Sequence, residues 1–175
     1  LPMDTYLDTS KGVNVQVSSW KRNADNAIPP RTKATGGYIN SALAIHDARH
    51  SGFDSAIMLD QHGNVSEGAV MNVWLVKNGV LITPSTDSSI LEGITRRTII
   101  ELALDLGIPV REQTVVRSEL YTADEVFFCG TAVEIAWCRS IDSVVISESI
   151  GNITNQLSEQ FKNLPVTKPE LFTTV

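Results

Sequence analysis

The run VSEGAVMNVWLVKNGVLITP, residues 65–84, leaves this chain few architectures to choose from. It is almost wholly apolar and β-branched, and Asn78-Gly79 divides its second half. Asn-Gly between two such runs is the strongest short hairpin signal, because both residues tolerate the positive φ of a two-residue turn. The run therefore reads as two strands joined at Asn78-Gly79. A sheet has to be built around them.

The rest of the chain supplies that sheet and its cover. VNVQVSS (13–19) alternates apolar and polar residues, the mark of a half-buried strand. SAIML (55–59) reads as a short buried strand, followed by the turn cluster D-Q-H-G-N (60–64). VREQTVV (110–116) and DEVFFCG (124–130) read as further strands, and EIAWCRSIDSVVI (134–146) carries at least one more pair. Ser118 is placed to cap a short turn of helix between them. Three helices are expected. The first spans 38–51, with Gly52 where a left-handed cap belongs. The second spans about 95–106, with Ile99, Leu102, Ala103 and Leu106 in one stripe and Gly107 as its stop. The third spans 152–164. There are no repeats, low-complexity segments or linkers, so residues 1–175 read as one strand-rich mixed α/β (α+β) domain with helices packed outside.

Charge and composition exclude several roles. A net charge of −6 with no basic run argues against a nucleic-acid partner. No apolar stretch approaches the ~20 residues that span a bilayer, so no membrane role is expected. LPMDTYLDTS lacks the charged head and apolar middle of a signal peptide. Cys129 and Cys138 are too few for a disulfide framework, and both sit in strand-like sequence. They read as reduced core thiols of a cytoplasmic protein. His46 and His50 stand one helical turn apart without a third ligand, so no metal site is expected. His62 falls in a turn, and Arg96-Arg97 reads as a solvated helix face.

Four places carry chemistry. In IPPRTKATGGYINSAL (28–43), Lys33 stands between two prolines and the pair Gly36-Gly37, just ahead of Tyr38 and a helix. A solvated loop lysine is the plain reading, and a lysine nucleophile is the other. In L-E-G-I-T (91–95), Gly93 leads into the second helix. The N–H groups of Ile94 and Thr95, backed by the helix dipole, suit an anion, although Thr95 could equally serve as a cap. G-T-A (130–132) ends a buried strand with residues small enough for close backbone approach to a ligand. Glu67 ends an otherwise apolar strand, and a half-buried carboxylate needs a cationic partner to stay ionised. A nucleophilic amine, an anion site, a carboxylate and a tyrosine hydroxyl match the aldehyde, phosphate, ring nitrogen and phenolate oxygen of pyridoxal 5'-phosphate.

The ordered motifs Lys33-x-x-Gly-Gly-Tyr38, GFDSAIMLDQHGNVSEG, NVWLVKNGVLITP, ILEGITRRTIIELALDLGI, LYTADEVFFCGTAVEI and SIDSVVI resemble the class IV (fold-type IV) pyridoxal-phosphate aminotransferases. Within that group the sequence is most similar to the branched-chain amino acid aminotransferases. D-amino acid aminotransferases and aminodeoxychorismate lyases share the skeleton and remain alternatives. The resemblance implies transamination of a branched-chain L-amino acid with 2-oxoglutarate. Lys33 would be the Schiff-base lysine and proton shuttle, and Tyr38 the partner of the phenolate oxygen. Glu67 would face the ring nitrogen and Leu91 would pack on the ring. Gly93, Ile94, Thr95 and Thr131 would take the phosphate, and the Thr131 and Ala132 amides the substrate carboxylate. Gly36 and Gly37 would free the backbone to set Lys33 and Tyr38 beside the cofactor.

The family's smaller N-terminal domain supplies a phosphate-binding arginine, and only 32 residues precede Lys33 here. The chain thus reads as the cofactor-binding large domain, with an isolated domain of little activity as a further alternative. Family members assemble as homodimers or larger homo-oligomers. Val70 and Met71 replace a small residue and an acid of the family pattern. Trp137 replaces a proline. All three are expected near the pocket.

Overall fold

A computed structural model of the chain describes residues 7–167. The segment read for a leader, and the outer ends of the 1–175 domain, fall partly outside the described residues. The strands are β1 (Val13–Val17), β2 (Ser55–Leu59), β3 (Val65–Gly68), β4 (Asn72–Lys77) and β5 (Val80–Pro84). They continue as β6 (Val110–Gln113), β7 (Glu125–Gly130), β8 (Glu134–Ile141) and β9 (Val144–Val145). The helices are α1 (Tyr38–His50), α2 (Ile94–Asp105) and α3 (Asn152–Thr167).

Hydrogen bonding orders the strands β3-β2-β1-β8-β7-β4-β5-β6, with β9 on β8. β8 is the joint of this sheet. Its first half pairs antiparallel with β7 through Glu134–Trp137, and its second half pairs parallel with β1 from Cys138 onward. The outermost strands then curl towards each other. The Val65 N–H bonds the Val115 carbonyl at 2.8 Å, beside an antiparallel bridge from Asn64 to Val116.

Curling gives the sheet an inside and an outside. Val13 and Val15, Val73 and Leu75, and Val126 and Phe128 fill the inside. The alternate residues Trp74, Val76, Phe127 and Cys129 face outward, where Ile99 and Leu102 of α2 and Leu157 of α3 cover them. Both faces are buried, which explains why VWLV and VFFC are unbroken apolar runs rather than alternating ones. Trp74 and Phe127 are direct cross-strand neighbours and stack at 5.9 Å. α1 covers β2 through small residues, with Ala44 and Ala48 against Ala56 and Met58.

Both long helices end as their glycines require. Gly52 (φ 85°) and Gly107 (φ 71°) adopt the left-handed conformation. The Phe53 N–H returns to the Ala48 carbonyl and the Ile108 N–H to the Ala103 carbonyl, so two Schellman caps close α1 and α2.

Two expectations need correction. Residues 65–84 form three strands, because the chain changes partners at Ala69–Met71. β3 pairs with β2, whereas β4 pairs with β5 and β7. The short helical turn at Arg117–Thr122 is capped not by Ser118 but by Glu119, whose carboxylate accepts the Val116 N–H at 2.8 Å. Among the described residues no helix is long and apolar enough to cross a membrane.

Candidate active site

A cleft opens where the partner change after β3, the N-terminus of α2, the end of β7 and the loop before α1 converge. Lys33, Tyr38, Glu67, Leu91, Gly93, Ile94, Thr95 and Thr131 all line it. Ala132 does not. It follows Thr131 but lies exposed, outside the residues that line the cleft.

Lys33 arrives there through a tightly determined backbone. Pro30 opens a single 3-10 turn, Pro30–Thr32, where a fixed φ and a missing N–H do no harm. The Thr32 hydroxyl donates to the Pro29 carbonyl at 2.8 Å. Lys33 closes the turn in the left-handed region, φ 52° and ψ 30°, with its N–H on the Pro30 carbonyl. A second turn, Thr35–Gly37, leads into α1 at Tyr38. The two glycines do not play the part expected of them. Neither has a positive φ, and a Cβ on Gly36 would meet nothing within 4 Å. The unusual conformation falls on the lysine itself.

Glu67 forms the floor of the cleft and is only 4% exposed. Its Oε1 receives Arg22 Nη2 at 2.6 Å and the Leu91 N–H at 3.2 Å, and its Oε2 receives Asn72 Nδ2 at 2.8 Å. Arg22 also donates from Nη1 to Ser41 Oγ at 3.1 Å, which fixes the guanidinium against α1. Burial pushes the Glu67 carboxyl up to about 7, against the pull of the Arg22 charge and the Leu91 N–H. The required cation is thus Arg22, which the sequence reading passed over. The only signal for it was the need of Glu67 for a partner. Asn72 was missed as well.

The far wall is the N-terminus of α2. Gly93 occupies the N-cap and no side chain caps the helix. Thr95 therefore does not act as the cap, and it lies buried in the first turn. Ile94 is 82% exposed at the mouth. A Cβ on Gly93 would sit 2.5 Å from Asn72 Oδ1, so glycine is needed for the close approach of these two segments. Uncapped N–H groups at a helix start suit an anion.

Several neighbours differ from expectation. Arg96 is not part of a solvated face. It is 4% exposed, donates to Glu112 at 2.6 Å and to the Pro84 carbonyl at 3.1 Å, and lies 5.9 Å over the Trp74 ring. Arg97 is exposed. Val70 and Met71 do line the cleft, but Trp137 does not, because its ring covers Gly12 at the start of β1. His46, His50 and His62 are exposed, and the described residues hold no cluster of three or more metal-ligating groups. Both cysteines are buried thiols. Cys129 accepts the Trp74 indole N–H at 3.1 Å, and burial pushes its thiol up to about 12.

Comparison with known proteins gives this geometry a family context. A sequence model of the class IV amino-transferases matches residues 2–141. A probable branched-chain-amino-acid aminotransferase of Aquifex aeolicus is 52% identical over 160 residues, which cover 90% of this chain and 51% of that protein. The crystal structure of a branched-chain aminotransferase from Thermoproteus uzoniensis with norvaline superposes with a TM-score of 0.92 at 44% identity. The match covers 98% of this chain and 57% of that one. A branched-chain amino acid aminotransferase from Thermobaculum terrenum, in its PLP form, superposes at 0.85 with 42% identity, covering 87% of this chain and 50% of that one. The chain spans about half the length of the curated relatives it matches.

Proposed function

The chain belongs to the class IV amino-transferases, and we propose that it forms the cofactor-binding part of a branched-chain amino acid aminotransferase. The proposed cofactor is pyridoxal 5'-phosphate and the proposed amino acceptor is 2-oxoglutarate.

The observation that carries this reading is Glu67, a buried carboxylate on the floor of the cleft that Lys33 and Tyr38 also line. The residues present fit the cofactor. Three N–H donors occupy three of the roughly four lone-pair sites of the Glu67 carboxylate, leaving one acceptor for a protonated ring nitrogen. The uncapped start of α2 offers Gly93, Ile94 and Thr95 to a phosphate, and Thr131 lines the same cleft.

When bound, pyridoxal phosphate supplies an electron-poor ring that accepts the electron pair released at the substrate α-carbon. Glu67 keeps the ring nitrogen protonated, and Arg22 keeps Glu67 charged enough to do so. Tyr38 would donate its hydroxyl to the ring oxygen, and Leu91 would pack on the ring face. Lys33 Nζ holds the cofactor at rest. Its free amine would be the base that takes the proton from the substrate α-carbon. Thr131, which lines the cleft where Ala132 does not, would receive the substrate carboxylate.

The test begins with binding. Pyridoxal phosphate added to the chain should give a visible absorption that borohydride fixes, and peptide mapping should place the adduct on Lys33. An adduct on Lys11, Lys21 or Lys77 would overturn the assignment. Amino transfer from leucine to 2-oxoglutarate then separates this reading from a lyase, which would release pyruvate without an acceptor.

A further inference from the structure

Asn72 opens β4, directly across from Cys129 of β7, and is 6% exposed. Its single amide nitrogen donates twice, to Glu67 Oε2 at 2.8 Å and to the Leu91 carbonyl at 2.8 Å. The Leu91 N–H returns to Glu67 Oε1 at 3.2 Å, so three residues close a ring of hydrogen bonds. The oxygen of the same amide abuts Gly93, at the position a Cβ would need. One side chain thus touches the carboxylate on the cleft floor and both ends of the segment that leads into α2.

We infer that Asn72 is a positioning residue that locks the α2 start to Glu67, so that the ring end and the phosphate end of the cleft share one frame. The inference rests on the cofactor proposed above. Asn72 needs no contact with the cofactor. Without its donor, Glu67 Oε2 loses the amide partner it has in a buried place, and the Leu91 carbonyl keeps only the Gly93 N–H at 2.9 Å. The loop 91–93 then loses its registry with the floor, and the N–H groups of Ile94 and Thr95 lose theirs. Phosphate recognition should therefore fail when a residue on the ring side is changed.

That cross-talk is measurable. Affinities of the chain for pyridoxal phosphate and for unphosphorylated pyridoxal, followed by absorbance, give a phosphate factor as their ratio. The wild-type chain should bind the phosphorylated form more tightly. Asn72→Ala should shrink the factor by about tenfold, the equivalent of one buried hydrogen bond. Gly93→Ala provides an independent route. Gly93 has φ −65° and ψ 144°, open to alanine, and the atom its methyl meets first is the Asn72 amide oxygen. It should shrink the factor to a similar degree in the wild-type background and no further in the Asn72→Ala background, where the amide it displaces is already gone. An unchanged factor in folded Asn72→Ala or Gly93→Ala would refute the positioning role. A wild-type chain that binds neither ligand would refute the cofactor assignment, and this inference with it.

Discussion

The Arg22 guanidinium meets the Glu67 carboxylate at 2.6 Å, with side chains only 11% and 5% exposed. Few ion pairs are worse placed for stability by themselves. Both charges give up water, and Arg22 Nε finds no protein acceptor at all. The pair is better understood as a device that keeps a buried carboxylate charged. Removing one member should therefore be far more harmful than removing both. Arg22→Met should destabilise the folded chain by about 3 kcal/mol or more near pH 8, and less near pH 5, where Glu67 takes up a proton. Urea unfolding at the two pH values measures this. A pH-independent loss would mean that Arg22 acts through packing on Ser41 and α1.

Glu67 itself should leave a signature in the pH dependence of stability. Its carboxyl stands near 7 in the folded chain, against an ordinary value of 4.5. Between those values the folded state holds more protons than the unfolded state, so stability from this group falls as pH rises from about 4.5 to about 7. The full difference amounts to about 3 kcal/mol. In Glu67→Gln that decline should vanish. The stability of wild type minus that of the variant should fall by about this amount between pH 4 and pH 8. A constant difference would show that Glu67 does not exchange a proton over this range.

Away from the cleft, α3 depends on a carboxylate from β7. Glu125 accepts the N–H groups of Ile153 and Thr154 at 3.1 and 2.8 Å, and the Thr154 hydroxyl at 2.7 Å. A Cβ on Gly151 would come within 2.1 Å of the Glu125 carboxyl carbon. Glu125 is flexible enough to swing away, but only by abandoning the helix start. Gly151→Ala should thus cost about 0.5–2 kcal/mol, the worth of an N-cap. Glu125→Ala should cost a similar amount, and the double variant little more than either. Additive losses in thermal unfolding would separate Gly151 from the cap.

What the sequence made legible was local. Asn78 and Gly79 have φ of 50° and 75°, the turn their pairing announces. Gly52 and Gly107 mark helix ends because nothing else tolerates that backbone as well. What stayed hidden was decided by strand partners distant in the chain. Nothing in the apolar run around Ala69–Met71 reveals that β3 and β4 belong to different neighbours. Arg96 looks solvated until β6 brings Glu112 to it and β4 places Trp74 beneath it. Trp137 alternates correctly within β8, yet parallel pairing with β1 seats it on Gly12. At the site, Lys33, Tyr38, Glu67, Leu91, Gly93, Ile94, Thr95 and Thr131 could be named from motifs and the family resemblance. Arg22 and Asn72 could not, since their roles exist only once the strand ends converge on Glu67.

The conformation of Lys33 gives the last prediction. At φ 52° and ψ 30° a lysine is strained by about 1–2 kcal/mol relative to glycine, which visits this region freely. Nothing in the fold asks for lysine there, because the side chain is exposed and the turn needs only the backbone N–H on the Pro30 carbonyl. Glycine also gives the unfolded chain more freedom, which offsets part of the relief. Lys33→Gly should nevertheless stabilise the cofactor-free chain by about 0.5–1 kcal/mol. Lys33→Ala keeps the strain and should leave stability near that of the wild type. Both variants should lose borohydride-fixable attachment of pyridoxal phosphate. Urea unfolding of the three chains isolates the backbone effect as the difference between glycine and alanine. If that difference is zero, the turn is unstrained and its geometry holds no argument for a chemical role. If glycine is the more stable, Lys33 sits where folding alone would favour another residue, as expected of a side chain held for its amine.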